Sequence, residues 1–344
     1  MCIKYLCVII SLENVLFFGG DFMPATAVHA FFAKDVFDIL PITVKENIKE
    51  DKIKMFAQSI DACKFYNILS FESGKNIRNF SDYFHDNQSQ EFFINVLNYM
   101  RDNEITEPES FSFLFGFICH YVLDSTLHPY IIYKTGVLDK KNALSYKYNC
   151  LHHVMETFLD NDMISRRFRT NPYKFSVSKF VFNISPFSKE LEKIIDYSFY
   201  NTFKIKNMSK IYFKSLKQMN FFINFFRKDS YGIKRFIYKF FDTFTSKKTF
   251  RLESISYHYE LSDKHNFLNN NHLMWRNPSI YDITSTESFV DLYLKAIKRA
   301  KIIMCASCDY IHGKDIELDK IFDNSSYISG INCDEKKELK YFEF

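Results

Sequence analysis

Two short segments carry ionisable side chains inside otherwise apolar sequence. Residues 117–129 include His120 and Asp124, and a second segment contains His152 and Glu156. Burying such groups is costly unless they are paired or bind a metal ion. Residues four apart share one helix face, so each His lies beside its carboxylate on a separate helix. Imidazole nitrogen and carboxylate oxygen are ligands that zinc accepts, and the two pairs therefore predict a zinc-type site between two helices.

The helices that position these residues are predicted from apolar periodicity and from their start and stop signals. The predicted helices span residues 26–40, 45–60, 89–100, 108–127, 142–167 and 288–308, and residues 61–86 are predicted to be irregular. Pro129 disfavours helical geometry at the residue before it, so we expect the fourth helix to end at His128. Thr284 and Glu287 have capping-box spacing and are expected to start the last helix.

The candidate metal ligands lie on or beside predicted helices, so we expect an all-α fold. The chain has 344 residues, enough for a sizeable core, and only 8 Gly and 7 Pro argue against an all-β sandwich with its many turns. The predicted divisions are residues 1–22 as an N-terminal extension, 23–170 as a metal-binding helical core, 171–330 as a helical half packed on that core, and 331–344 as a charged, frayed tail.

Charge and cysteine content exclude few functions. The formal net charge of +4 is small for this length and is compatible with lipid or nucleic acid partners. The 8 Cys are too few and too scattered for a disulfide scaffold. No stretch of about 18 uncharged apolar residues occurs, so no membrane-spanning helix is predicted.

The first 22 residues decide the predicted localisation. They contain a short apolar run between Lys4 and Glu13 and no clear small-residue cleavage site, which makes a poor signal peptide. We interpret Met23 as the start of translation and expect a cytoplasmic protein. The alternative is that residues 1–22 act as a signal, which would make the protein secreted or membrane-associated.

Several motifs occur in one order along the chain from Met23 onward. They are Met23–His29, Phe56–Asp61, Phe84–His85, Gly116–Pro129 and His152–Glu156. As an ordered set they resemble the zinc-dependent phospholipase C family, and more closely a bacterial branch of it. The resemblance implies a compact multi-helix, all-α domain with additional C-terminal helices. Enzymes of the family hold three zinc ions, and we expect two to three in this protein.

Carried over motif by motif, the resemblance implies three groups of ligands. Asp61, His85, His120 and Asp124 would bind one ion, His128, His152 and Glu156 a second, and His29 and Asp124 a third, with Asp124 bridging. Asp61 is also the candidate catalytic residue, as a group that orients or deprotonates water. One spacing departs from the family: on an ideal helix His128 is rotated by about 80° from His120.

The resemblance implies a metal-dependent phosphoester hydrolase that cleaves phospholipids or related phosphodiesters with metal-activated water. Two alternatives stay open: a zinc nuclease-like phosphodiesterase on single-stranded nucleic acid, and a metal-stabilised binding protein without turnover. Residues 201–250 contain twelve Lys or Arg and only two acidic residues, interleaved with aromatics. We expect these aromatics in the core and the lysines in solvent; a peripheral membrane contact is the alternative, nucleic acid is less favoured, and no partner protein is implied.

Overall fold

The computed structural model describes residues 25–343 except 69, 71, 72, 140, 149, 228, 230, 245–250 and 258–262. The predicted start at Met23 and the interpretation of residues 1–22 lie outside the described residues. Within them the regular secondary structure is almost entirely helical, which confirms the all-α prediction.

Twelve α-helices lie within the described residues, and the longest connection between them runs from Asp242 to Phe289. They are α1 (Thr26–Ile39), α2 (Ile42–Lys45), α3 (Glu50–Phe56), α4 (Lys75–Phe84), α5 (Ser89–Asp102), α6 (Pro108–Thr135), α7 (Leu151–Phe168), α8 (Val177–Val181), α9 (Lys189–Phe203), α10 (Met208–Phe222), α11 (Ile233–Asp242) and α12 (Phe289–Ile311). Single 3-10 turns span Ser59–Phe65, Ala143–Tyr148, Pro172–Lys174, Leu252–Ile255, Leu318–Lys320 and Cys333–Glu335, and a π turn spans Ile223–Arg227. A two-stranded antiparallel sheet pairs β1 (Trp275–Arg276) with β2 (Thr284–Ser285).

Helix α6 is the central element of the fold. It packs against α1, α3, α7, α9 and α12, which come from both halves of the chain. Gly116 allows the closest approach, because a Cβ there would lie 2.5 Å from the Phe56 side chain and 2.8 Å from the Ala57 nitrogen. By length and apolar composition α6 is the one described helix that would qualify to cross a membrane, and 94% of its most apolar window is buried inside the protein.

The prediction that this helix ends at His128 is wrong. Helix α6 continues through Pro129 to Thr135 and stops at Gly136, whose φ is +62°. A proline inside a helix removes one hydrogen bond and costs about 3 kcal/mol. Burial of Tyr130, Ile131 and Ile132 in the turn that follows offsets this cost, since each buried apolar side chain contributes about 1.5 to 3 kcal/mol.

Residues 61–86, predicted to be irregular, contain the end of a 3-10 turn and the whole of α4. Helix α4 is polar overall, but Ile77, Phe80 and Phe84 repeat at helical spacing and face the core. Gly74, at φ +99°, starts this helix in a conformation that other residues rarely adopt. Residues 61–86 were predicted to be irregular because polar residues dominate them and the apolar repeat of α4 is short.

The last helix starts later than its predicted cap. Thr284 belongs to β2, and the capping box is formed by Ser288 and Asp291, whose side chains each accept a hydrogen bond from the other residue's backbone N–H. The two candidate boxes differ by four residues. The predicted one has the Glu that a capping box usually takes at its fourth position and the observed one has Asp, so residue type alone favoured the wrong pair.

The segment after Gly330 packs on the body, so the prediction of a frayed end is wrong. The Glu343 backbone N–H donates to the Tyr133 carbonyl oxygen at 2.8 Å, and the Glu343 carboxylate pairs with Lys134 at 2.5 Å. The side chain of Lys134 is buried and needs a carboxylate partner, which the tail supplies.

Candidate metal centre

The eight predicted ligand residues converge at the centre of the helical body. Helix α1 supplies His29, the first 3-10 turn Asp61, the end of α4 His85, helix α6 His120, Asp124 and His128, and helix α7 His152 and Glu156. They form two neighbouring clusters. Cluster A consists of His29, Asp61, His85, His120 and Asp124, and cluster B of His128, His152 and Glu156.

Asp124 lies between the imidazoles of cluster A. Its Oδ1 atom is 3.4 Å from His29 Nε2, and its Oδ2 atom is 3.2 Å from His120 Nε2 and 4.0 Å from His85 Nε2. The side chain is 3% exposed, and Oδ2 accepts no hydrogen bond within the described part of the chain. A buried carboxylate oxygen without a donor fits a position where a cation binds.

Asp61 closes the opposite side of cluster A. Its Oδ1 atom is 3.3 Å from His85 Nε2, and its Oδ2 atom is 3.8 Å from His120 Nε2. Lys64, one helical turn later, places its Nζ atom 3.0 Å from the same Oδ1. Lys64 therefore supplies a positive charge at the edge of the cluster, a residue that the sequence interpretation did not single out.

Three histidines have one ring nitrogen fixed by a backbone carbonyl. His120 Nδ1 lies 3.0 Å from the carbonyl oxygen of Ala57. His85 Nδ1 lies 2.6 Å from that of Ser81, and His128 Nδ1 lies 2.8 Å from that of Tyr327. A carbonyl can only accept, so each Nδ1 carries the hydrogen and each Nε2 presents a lone pair.

These lone pairs face one another and the carboxylates. In cluster A the Nε2 atoms of His85 and His120 are 3.5 Å apart, and both lie near Asp61 and Asp124. Neutral nitrogens with lone pairs cannot donate to each other or to an ionised carboxylate. A bound metal ion would satisfy this set of converging acceptors, and histidine ligands oriented by carbonyl groups are typical of zinc sites. The residues present therefore fit zinc.

Burial keeps the imidazoles in the form that binds metal. It lowers the pKa of His29 to about 4 and that of His128 to about 3, and it holds the pKa of His120 well below its usual value. These rings are neutral at pH 7, so no proton has to leave before a metal binds.

The two carboxyl groups of cluster A differ in their protonation. Burial, with the nearby charges of Asp61 and Glu156, holds the pKa of Asp124 well above its usual range. Burial has the same tendency at Asp61, but nearby positive charge, that of Lys64 foremost, outweighs it and holds the pKa of Asp61 well below the usual range. Asp124 is thus the group whose ionised form most needs a bound cation.

Cluster B lies directly beside cluster A. His152 Nε2 is 3.2 Å from Glu156 Oε1, the rings of His128 and His152 are 5.7 Å apart, and His128 Nδ1 is 3.7 Å from Asp124 Oδ2. Because His128 is rotated away from His120 about the axis of α6, its ring faces α7. The helix reaches this geometry without a break at Pro129.

Two further contacts position the clusters, and the sequence interpretation missed both. Tyr327, 199 residues after His128, supplies the carbonyl that orients that imidazole, and its ring packs against His85 and His120. Asp160 accepts hydrogen bonds from the Ala27 and Val28 N–H groups at 2.9 Å each, which fixes the start of α1.

Asp160 also forms a buried ion pair. Arg227 donates to its Oδ2 atom at 2.8 Å, and the Tyr257 hydroxyl donates to the same oxygen at 2.9 Å. Asp160 follows His152 and Glu156 at a spacing of four residues, so this buried acidic position was detectable as part of one helix face. Its partner, 67 residues later, leaves no local signal.

The helical body and the two adjoining clusters of histidine and carboxylate side chains indicate a helical metal-binding protein. The model of the family described as zinc dependent phospholipase C matches residues 28–231. The chain belongs to the zinc-dependent phospholipase C family, a family of hydrolases, and the two clusters support zinc binding. Comparison with curated proteins and with solved structures gives no match.

Proposed function

We propose that this protein is a zinc-dependent phosphoric diester hydrolase that cleaves phospholipids or related phosphodiesters. The observation that carries the proposal is the set of buried acceptor atoms in cluster A, in a chain that belongs to a phospholipase C family. The family implies a phospholipid substrate.

We propose two to three zinc ions. Asp61, His85, His120 and Asp124 would hold one ion, His128, His152 and Glu156 a second, and His29 with Asp124 a third. The position of Asp124 between both clusters supports its role as the bridging carboxylate. The third zinc ion would have only two side-chain ligands, so other groups would have to fill its remaining coordination positions.

Neighbouring zinc ions lower the pKa of bound water and neutralise the charge on phosphoryl oxygens. The chain's own residues orient the centre: the three carbonyl groups hold the imidazole hydrogens away from the clusters, and Asp61 presents a carboxylate to His85 and His120. In this proposal Asp61 is a ligand and also orients the attacking water.

Metal content is the first test. Protein that starts at Met23 and is purified without chelators should contain two to three zinc equivalents by elemental mass spectrometry. Asp124→Asn should lose zinc, release no phosphorylated head group from phospholipid, and melt at a lower temperature, because metal binding is coupled to folding. Asp282→Asn removes an exposed carboxylate outside both clusters and should change none of these.

The outcomes separate the alternatives. A folded wild-type protein that takes up no zinc would refute the metal centre, and full zinc content in Asp124→Asn would refute the bridge. Bound zinc without hydrolysis of phospholipid or nucleic acid would favour a metal-stabilised binding protein.

A nuclease-like activity is the second candidate. Lys210, Lys214 and Lys217 are exposed along one side of α10, as a site for a phosphate backbone requires. Binding of single-stranded nucleic acid that weakens steeply with salt, together with its cleavage, would support this candidate.

We further propose translation from Met23 and a cytoplasmic location. The proposal rests on the charged residues Lys4 and Glu13 around the short apolar run of the N-terminus. Mass spectrometry of the N-terminal peptide and fractionation of native cells test it. A peptide from residues 1–22, or protein recovered outside the cytoplasm, would contradict it.

A further inference from the structure

Helix α11 turns its large apolar side chains towards solvent. Ile233, Phe236 and Phe240 are 62%, 75% and 57% exposed, and Phe244, just after the helix, is 76% exposed. Their spacing of three and four residues places them in one line, which we call the α11 stripe. Aligned exposed aromatic residues mark interaction sites, whereas single ones do not.

The opposite face of α11 is firmly anchored. The Tyr238 hydroxyl donates to the Phe226 carbonyl oxygen at 2.8 Å, and the Asp242 carboxylate accepts from the backbone N–H groups of Leu252 and Glu253 at 2.9 and 2.8 Å. Tyr238 and Asp242 are both buried. These contacts fix the rotation of α11 about its axis, and the α11 stripe on the opposite side therefore faces solvent.

Cations flank the stripe. Lys234, Arg235 and Lys239 lie on α11, and the last two share one carboxylate, Glu253, at 3.5 and 3.2 Å. The two acidic residues of the 201–250 stretch, Asp229 and Asp242, are buried and accept hydrogen bonds from backbone N–H groups. Among the described residues at the surface, the three cations of α11 therefore face a single carboxylate, Glu253, so the exposed charge around the stripe is positive and complementary to an anionic surface.

The stripe is attached to the helix that carries cluster B. The 3-10 turn Leu252–Ile255, which binds the end of α11 through Asp242, also packs on α7, the helix of His152 and Glu156. Helix α11 is therefore linked, through this one turn, to the helix that supplies two ligands of cluster B.

We propose that α11 docks on anionic phospholipid membranes. The aromatic residues of the α11 stripe would insert at the level of the lipid head groups, and the flanking cations would pair with lipid phosphates. The inference goes beyond hydrolysis: docking requires neither zinc nor turnover, although it would bring a phospholipase to its substrate.

Co-sedimentation with vesicles tests the proposal. Wild-type protein should bind vesicles of equimolar phosphatidylglycerol and phosphatidylcholine, and bind vesicles of phosphatidylcholine alone more weakly. The double variant Phe236→Ser with Phe240→Ser should bind the anionic vesicles at least about tenfold more weakly. Lys239→Gln should lose about fivefold at low salt, and less at high salt.

A matched control removes exposed apolar residues elsewhere. Leu294→Ser with Ile302→Ser changes two such residues on α12, 50% and 68% exposed, and should bind vesicles as wild type does. All four stripe and control substitutions are at exposed positions, so circular dichroism and melting should show an unchanged fold.

Each contrary outcome points to a different conclusion. Equal vesicle binding by the stripe and control variants would overturn the proposal, as would a stripe variant that converts a dimer to a monomer without changing vesicle binding. Hydrolysis of a soluble short-chain phospholipid should be the same in wild type and stripe variant. Loss of docking with that activity intact supports the stripe, whereas vesicle binding without any hydrolysis would defeat only the proposed enzyme.

Discussion

Arg227→Met should destabilise the protein through a single buried carboxylate. Arg227 and Asp160 are both fully buried and pair at 2.8 Å, so the variant leaves the Asp160 charge without its cation. Breaking one side of a buried ion pair costs about 3 to 5 kcal/mol. Asp160 keeps its hydrogen bonds from Ala27, Val28 and Tyr257, so we expect a loss at the lower end, about 3 kcal/mol.

The free energy of unfolding that Arg227→Met loses should be larger at high pH than at low pH. Burial already raises the pKa of Asp160 to about 6, against the opposing charge of Arg227. Without that charge the pKa in the folded state rises further. A carboxyl group whose pKa is higher in the folded than in the unfolded state binds more protons when folded, so stability falls as pH rises. Arg227→Met should therefore be closer to wild type at pH 5 than at pH 8.

Urea unfolding of the chelator-treated protein at both pH values measures this effect. Arg166→Met is the matched control, since Arg166 pairs with Asp162 at 2.7 Å on the surface of α7 and should contribute less than about 1 kcal/mol. Arg227→Met should also bind zinc more weakly, because Asp160 joins the start of the His29 helix to α7. A variant that loses under about 1 kcal/mol at pH 8, or the same amount at both pH values, would refute the reasoning.

Three further substitutions test the packing and charge around the centre. Gly116→Ala should cost about 1 to 3 kcal/mol in thermal unfolding, because its Cβ would lie 2.5 Å from a side-chain atom of α3; an unchanged melting temperature would contradict the close approach. Gly330→Ala should cost about 1 to 3 kcal/mol, since φ is +68° and the Cβ would lie 2.6 Å from the Ser125 oxygen; Gly313→Ala, with open space at φ +93°, separates the backbone cost from the contact. Lys64→Met removes a cation 3.0 Å from Asp61 and should tighten zinc binding in a competitive chelator titration; weaker binding would show that Lys64 supports the centre.

The sequence predicted the parts of this protein that depend on local spacing. The pairs His120 with Asp124 and His152 with Glu156 lie four residues apart on helices, and the structure brings them together with the other predicted ligands. Whether they bind zinc stays a proposal. The all-α class followed from the predicted helices that carry the candidate ligands, and the low Gly and Pro content argued against an all-β sandwich.

What the sequence could not predict depends on tertiary contacts. The helix continues past Pro129 because buried residues on its far side outweigh the proline's cost, and that burial is not visible locally. Helix α4 was missed because its apolar residues are few. Arg227 and Tyr327 reach the centre from distant parts of the chain, and no spacing rule relates them to the histidines.

The hydrogen bond between His128 and Tyr327 means that cluster B cannot be fully oriented until the C-terminal part of the chain has been synthesised. Every proposed ligand is present once the ribosome has passed Glu156, yet the carbonyl that fixes the His128 tautomer emerges 171 residues later. Contacts of such long sequence separation form late, after their loop-closure entropy has been met. A nascent or truncated chain would hold cluster A with a complete set of side chains and cluster B with one unaligned ring. Correct assembly of cluster B thus reports that the C-terminal segment has been made and has docked.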